Sequence, residues 1–230
     1  MANKKDPDCA VCGHSLFQKA CYLAGGKGPD NCPTLTAEDV ITEAGREYLK
    51  PDIREFARLA SVQEGECYLD RDRKPYIPHC GKTRIQEVCE FAVKVGAKKL
   101  GLAFCIGLVQ EARLVHDIFV RQGFEVVSVV CKVGRQSKEK ALGIKDDEKI
   151  MIGTDEAACN PILQAKILNR AGTDLNVMLG LCVGHDSLFL KYSAAYCTVL
   201  AVKDRVTGHN PLAAVYNSSS YYMFTNRKGF

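Results

Sequence analysis

No stretch of the sequence approaches the roughly 18 uninterrupted apolar residues of a membrane helix, so no bilayer span is expected. The opening residues, MANKKDPDC, are polar and run straight into cysteines, so no secretory signal is expected either. No charge dominates. Lys and Arg total 31 against 27 Asp and Glu, the formal charge is +4, and no basic block stands out. Nucleic acid is therefore not an implied partner. Internal repeats and low-complexity segments are absent. So is a phosphate fingerprint, because CIGLVQEA lacks the glycines of GxGxxG or of a P-loop. A Ser-His-Asp triad is not suggested. What remains is a chain of 230 residues, 47% apolar and 25% charged, the mix of an ordinary globular protein. A cytoplasmic location is the expectation.

The informative count is 12 cysteines. An intracellular chain keeps its thiols reduced, so this many point to metal or catalysis rather than to disulfides. A secreted disulfide scaffold would be short and core-poor, whereas this chain carries long apolar strands and many helices.

Residues 1–35 read as a separate module. They hold Cys9, Cys12, Cys21 and Cys32 in the pattern C-x2-C-x8-C-x10-C-P, with four of the segment's glycines and prolines between Gly25 and Pro29. Little apolar surface is available for a core, so something else must hold the segment. The spacing signals a metal, and tetrahedral thiolate sites suit either zinc or iron–sulfur. Pro33 directly after the last cysteine matches bacterial cluster motifs. A structural zinc knuckle is the alternative.

Residues 36–81 read as a helical segment and linker. Thr36 is placed as the N-cap of a helix to about Leu49, and Pro51 restarts a second helix with Ile53, Phe56, Ala57 and Ala60 on one face. Residues 67–81 are polar with two prolines, as in a linker or lid.

Residues 82–230 read as an α/β domain. Short, nearly unbroken apolar runs at 99–106, 125–131, 176–183 and 197–202 alternate with helical patterns. Such runs are buried on both faces, which predicts a parallel sheet of at least four strands flanked by helices. Right-handed crossovers give the expected order 2-1-3-4.

Three of these strands close on cysteine: Cys105 in AFCIG, Cys131 in VVCKVG and Cys182 in GLCVGHD. In a doubly wound sheet those ends share one edge, where ligands bind. Cys159 precedes a helix opening at Asn160-Pro161, a cap and a first-turn proline. That helix starts on the same side, and its N-terminus favours a thiolate or an anionic cluster. A lone strand cysteine is ordinarily a small buried hydrophobe. Four at equivalent topological positions point instead to a shared metal or cluster site. Cys89 and Cys197 read as core, and Cys67 and Cys80 as bystanders flanking the linker.

Polar residues gather at the same edge. Lys132, Lys203 and Arg205 supply positive charge, His185 and His209 hydrogen bonding or proton transfer, and Asn160 a further polar group. They read either as an anion pocket or as a solvated loop.

Taken together, AFCIGL, VVCKVG, ACNPILQAKILN, GLCVGHDSLF and KDRVTGHNP resemble the signature blocks of an uncharacterised metal-binding family of anaerobic bacteria and archaea, the domain of unknown function numbered 1847. The resemblance covers nearly the whole chain. It implies metal binding on Cys9, Cys12, Cys21 and Cys32, and on Cys105, Cys131, Cys159 and Cys182. His185, Asp186, Lys203, Asp204, Arg205, His209 and Asn210 fall in its polar blocks. Ala195-Tyr196-Cys197 departs from it, since a proline is common there. The family name implies no reaction.

Three functions are therefore expected in order. The first is an iron–sulfur redox protein carrying one or two clusters of the [4Fe-4S] kind. It would act on a small anionic molecule or exchange electrons with a partner, and an oxidoreductase enzyme is one form of it. The second is a zinc-binding sensor, carrier or scaffold. The third is a cysteine-nucleophile transferase with Cys159 as the thiolate.

Overall fold

The structure, a computed structural model, describes residues 6–229. The first five positions of the 1–35 module and the last residue of the chain lie outside the described residues. The contacts divide the chain into two compact units, Met1–Glu64 and Gly65–Phe230.

Unit 1 begins with single 3-10 turns at Cys9–Val11 and Leu16–Gln18. A parallel bridge joins Lys19 and Lys27. Helices α1 (Pro33–Thr36), α2 (Glu38–Glu47) and α3 (Pro51–Glu66) follow, the last two residues of α3 falling in unit 2. The helix expected from Thr36 to about Leu49 is found as α2, starting one residue later and preceded by the separate turn α1. The Thr36 hydroxyl does not cap it; it donates to the Cys32 carbonyl at 3.0 Å, and Ala37 stands at the start of α2. A threonine that bonds four residues back closes a turn rather than opening one. No residue of α1 or α2 is buried, so packing cannot be what holds this part of the chain.

Unit 2 opens on the polar segment 67–81, which folds back on itself. The Leu69 amide donates to the His79 carbonyl at 2.8 Å and the Gly81 amide to the Cys67 carbonyl at 2.9 Å. Then come α4 (Arg84–Lys94), β1 (Lys99–Phe104), α5 (Val109–Arg121), β2 (Glu125–Val130), α6 (Lys138–Leu142), α7 (Pro161–Ala171), β3 (Leu175–Leu179), α8 (His185–Tyr192), β4 (Tyr196–Ala201) and α9 (Leu212–Tyr216). The four strands are parallel and their order is β2-β1-β3-β4, as the apolar runs predict.

The pleat of β1 divides the core. Leu100, Leu102 and Phe104 face Val88 and Ala92 of α4 and Ala112, Val115 and Phe119 of α5. Ala103 and Cys105 face Ala165 and Leu168 of α7 and Phe189 of α8. Cys89 belongs to the first cluster, as expected of a core cysteine.

The strands end sooner than the apolar runs do. Cys105 and Cys131 lie one residue past β1 and β2, yet each adds a rung to the ladder. The Cys105 amide donates to Leu179 at 3.2 Å and the Cys131 amide to Phe104 at 2.9 Å. β3 stops at Leu179 because Gly180 has φ +63, a left-handed conformation that ends a strand. A Cβ there would lie 2.1 Å from Leu108 Cδ1, so only glycine fits. Cys182 therefore sits in the loop beyond the strand rather than closing it. Among the described residues no helix is long and apolar enough to cross a membrane.

Candidate functional site

In unit 1, Cys9, Cys12, Cys21 and Cys32 all line one cavity of about 50 Å³, together with Lys19, Lys27 and Asn31. Gly28 gives Cys32 its room, since a Cβ at position 28 would lie 2.7 Å from the Cys32 Sγ. Cys9 and Cys21 are exposed, and Cys12 and Cys32 are half-buried.

In unit 2 the carboxyl edge of the sheet brings three of its four expected thiols into one cluster. Cys105 and Cys131 are buried on the α7 side of the sheet, and Cys159 packs against them. The Cys131 and Cys159 sulfurs are 3.7 Å apart. The Ile106 amide donates to the Cys131 sulfur at 3.3 Å. Cys182 has a different neighbour: its sulfur accepts from the Arg205 guanidinium at 3.1 Å.

The local sequence fixes this arrangement. The Asn160 side chain accepts from the Leu163 amide at 2.9 Å and caps α7, while the Asn160 amide donates to the Cys131 carbonyl at 2.7 Å. The start of the helix is thus tied to the end of β2, with Cys159 at the junction. Asn160 also donates through its side-chain amide to Gln136. Both polar atoms of its side chain are thus engaged within the chain.

Protonation divides the pair. The hydrogen bond shared with Cys131 holds Cys159 down at about 4, helped by His185 and the charge of Lys132, against the opposing effect of burial. Cys131 is pushed above the usual thiol range by that same shared hydrogen bond and then by burial. Cys159 is accordingly the more acidic of the two.

The remaining expected residues separate. Lys132 is engaged with its own loop: its ammonium donates to the Ala157 carbonyl and lies 3.5 Å from Glu156. Glu156 is buried and also pairs with Lys138 at 2.8 Å, which holds its carboxyl down at about 2. Lys203 is half-buried, and its ammonium has no hydrogen-bond or ion-pair partner among the described residues. Its Nζ and the Cys105 sulfur lie 3.7 and 3.9 Å from the same point, the place a side chain on Gly107 would occupy. Arg205 is exposed over Cys182. His209 is turned into its own loop, with φ +68 and its Nδ1 accepting from the Asp204 amide at 3.1 Å. That hydrogen bond orders the 204–209 turn and leaves Nδ1 occupied.

One positioning residue is absent from the sequence reading. Gln164 of α7 is fully buried, and its amide donates to the carbonyls of Val129 at 2.7 Å and Phe104 at 3.3 Å. It ties together the two strand ends that carry Cys105 and Cys131. The available signal is a polar residue on the apolar face of α7, four positions before Leu168.

Among the described residues, no group of three or more His, Cys, Asp and Glu side chains is drawn closely enough together to hold a metal ion. The side chains present are of the type that would suit a thiolate-ligated metal: four cysteines line one small cavity in unit 1, and at the sheet edge of unit 2 Cys105 and Cys131 belong to one apolar cluster against which Cys159 packs.

A family model described as "Protein of unknown function (DUF1847)" matches residues 32–200. That span holds β1, β2, β3 and all of β4 but its last residue, with Cys32, Cys105, Cys131, Cys159 and Cys182, and stops short of Lys203. An uncharacterized protein of Methanocaldococcus jannaschii is 41% identical over 215 residues, which is 94% of this chain and 95% of that relative. On both grounds the chain belongs to the DUF1847 family.

Proposed function

We propose that the protein is an iron–sulfur redox protein with a cluster on Cys9, Cys12, Cys21 and Cys32, and that the carboxyl edge of its sheet receives a small anionic molecule. The carrying observation is the cavity of unit 1 that all four of these cysteines line. An all-sulfur donor set favours iron–sulfur or zinc over the hard cations. Lys19 and Lys27 line the same cavity, and their charge offsets that of a thiolate-ligated centre. Metal–thiolate bonds would also supply the folding energy that α1 and α2 lack in burial. When bound, such a cluster supplies electron transfer, and an electron-transfer partner is implied. At the sheet edge, the unpaired Lys203 ammonium attracts the anion and Arg205 adds a second charge. His185, at the start of α8 and close enough to Cys159 to lower its pKa, would add a hydrogen-bonding group there. An oxidoreductase reaction at that edge extends the same reading.

Metal, iron and sulfide analysis of the anaerobically purified full chain tests this. The expected result is brown protein with about four iron and four sulfide per chain. Both should fall in Cys12→Ser and Cys32→Ser. Colourless protein with stoichiometric zinc and no sulfide overturns the redox reading in favour of a zinc sensor, carrier or scaffold.

A further inference from the structure

We infer that Cys131 and Cys159 form a dithiol that exchanges with small disulfides. The inference stands on unit 2 alone and does not depend on a cluster in unit 1. Its basis is geometric. The two sulfurs are 3.7 Å apart, although 28 positions of sequence separate them. A disulfide needs about 2.05 Å, so the two sulfurs already in contact have a short gap left to close. The segments that carry the pair are bonded to each other directly, through the Asn160 amide and the Cys131 carbonyl.

The two thiols are not equivalent, and their inequality assigns the roles. Cys131 is 2% exposed, between the Ile106 amide and the α7 face of the sheet. Cys159 is half-buried at the start of α7, where a ligand can reach it. The accessible sulfur attacks and the enclosed one resolves. Cys105 shares their cluster and Cys182 is held by Arg205, so neither competes at the same distance.

The steps balance with a low-molecular-weight disulfide, RSSR, as oxidant. The Cys159 thiolate attacks one sulfur of RSSR, an S–S bond forms to Cys159, the R–S–S–R bond breaks, and RS⁻ leaves. The Cys131 sulfur then attacks the Cys159 sulfur and expels the second RS group, which takes the Cys131 proton and leaves as RSH. The two cysteines are oxidised to one disulfide, and one RSSR is reduced to two thiols. An anionic disulfide would be drawn to the edge that carries Lys203 and Arg205.

Oxidised glutathione, added anaerobically to the full chain, is the probe. Peptide mapping by mass spectrometry should find Cys131 linked to Cys159, with two glutathione thiols released per linkage. Cys131→Ser should stop at a single glutathione on Cys159, and Cys159→Ser should acquire neither modification at this pair. Both cysteines remaining reduced while other thiols react overturns the inference. So does a stoichiometric metal present in the wild type and lost in both variants, because the pair would then be ligands. The wild-type map decides even where a variant fails to fold. Iron and sulfide measured on the same samples report on unit 1 separately, so failure here is distinguishable from failure of the cluster.

Discussion

At the scale of single residues, Cys159 shows how much a neighbour can do. Its ordinary pKa would leave it protonated near neutrality. The hydrogen bond shared with Cys131, with His185 and Lys132 beside it, holds it at about 4 instead. The sign follows from linkage. A group whose folded pKa is depressed contributes stability that is present above its unfolded pKa and is lost as pH falls through the folded value, here towards about 4. Alkylation by iodoacetamide should therefore be nearly independent of pH between about 6 and 9 at Cys159, as for other low-pKa thiols. In Cys131→Ala that partner is gone, and the midpoint should rise. A wild-type midpoint at the ordinary thiol value would contradict the geometry. Gly101 makes a second case, one of shape. A Cβ at this position in β1 would lie 2.0 Å from the Asn176 side-chain oxygen and 2.9 Å from Leu168. Asn176 is fully buried and hydrogen-bonded to Thr173 and Ser193, so it cannot step aside. Gly101→Ala should cost about 1–3 kcal/mol or more in urea unfolding.

At the scale of elements, the legible parts were those written locally. The start of α7 could be read because Asn160 and Pro161 each have a fixed place at a helix N-terminus. The strand order could be read because β1 and β3 are near-continuous apolar runs buried on both faces, as central parallel strands require. The end of β3 could not, because VMLGLCV is apolar throughout and the break comes from the conformation of Gly180. The Lys132 and His209 roles were illegible for a similar reason. Lys132 is occupied by Glu156 and Ala157 from a loop 24 and 25 residues on, and His209 by the backbone of its own turn. Charge and side-chain type suggest a ligand site, but only the fold shows which groups are already engaged. Gln164 shows the converse, a residue that periodicity treats as an exception and the fold uses as a cross-link. Its Oε1 is buried without a hydrogen-bond partner, while its Nε2 serves two strand ends. Gln164→Leu should keep the volume and lose both donations. A cost of about 1–3 kcal/mol is expected in urea unfolding. Disulfide formation between Cys131 and Cys159 should slow, since the strand end beneath Cys131 loses a tie. Unchanged stability in this variant would mean that the two carbonyls are held well enough by the ladder alone.

At the scale of the whole molecule, the two units are held by different physics. Unit 2 has two apolar clusters, one on each face of its sheet, and needs no metal to account for its folding. Unit 1 has exposed Val11, Leu16, Phe17, Leu35, Val40 and Ile41, no buried residue in α1 or α2, and four thiols around one cavity. The stability of its first half should then follow its metal, whatever the metal is. Cys12→Ser should make residues 6–35 the first site of proteolytic cleavage, because a segment with little burial opens once its ligands are lost. The sheet should meanwhile keep its far-ultraviolet circular dichroism and its urea midpoint, since Cys12 belongs to unit 1 and both apolar clusters belong to unit 2. A chelator added to the wild type should reproduce the cleavage pattern without the substitution. The decisive comparison is between the variant's two readouts. Early cleavage in 6–35 together with an unmoved midpoint for the sheet means that the units fold independently. A single cooperative transition, lowered throughout by Cys12→Ser, means that unit 2 draws stability from unit 1 and that its own core is not sufficient.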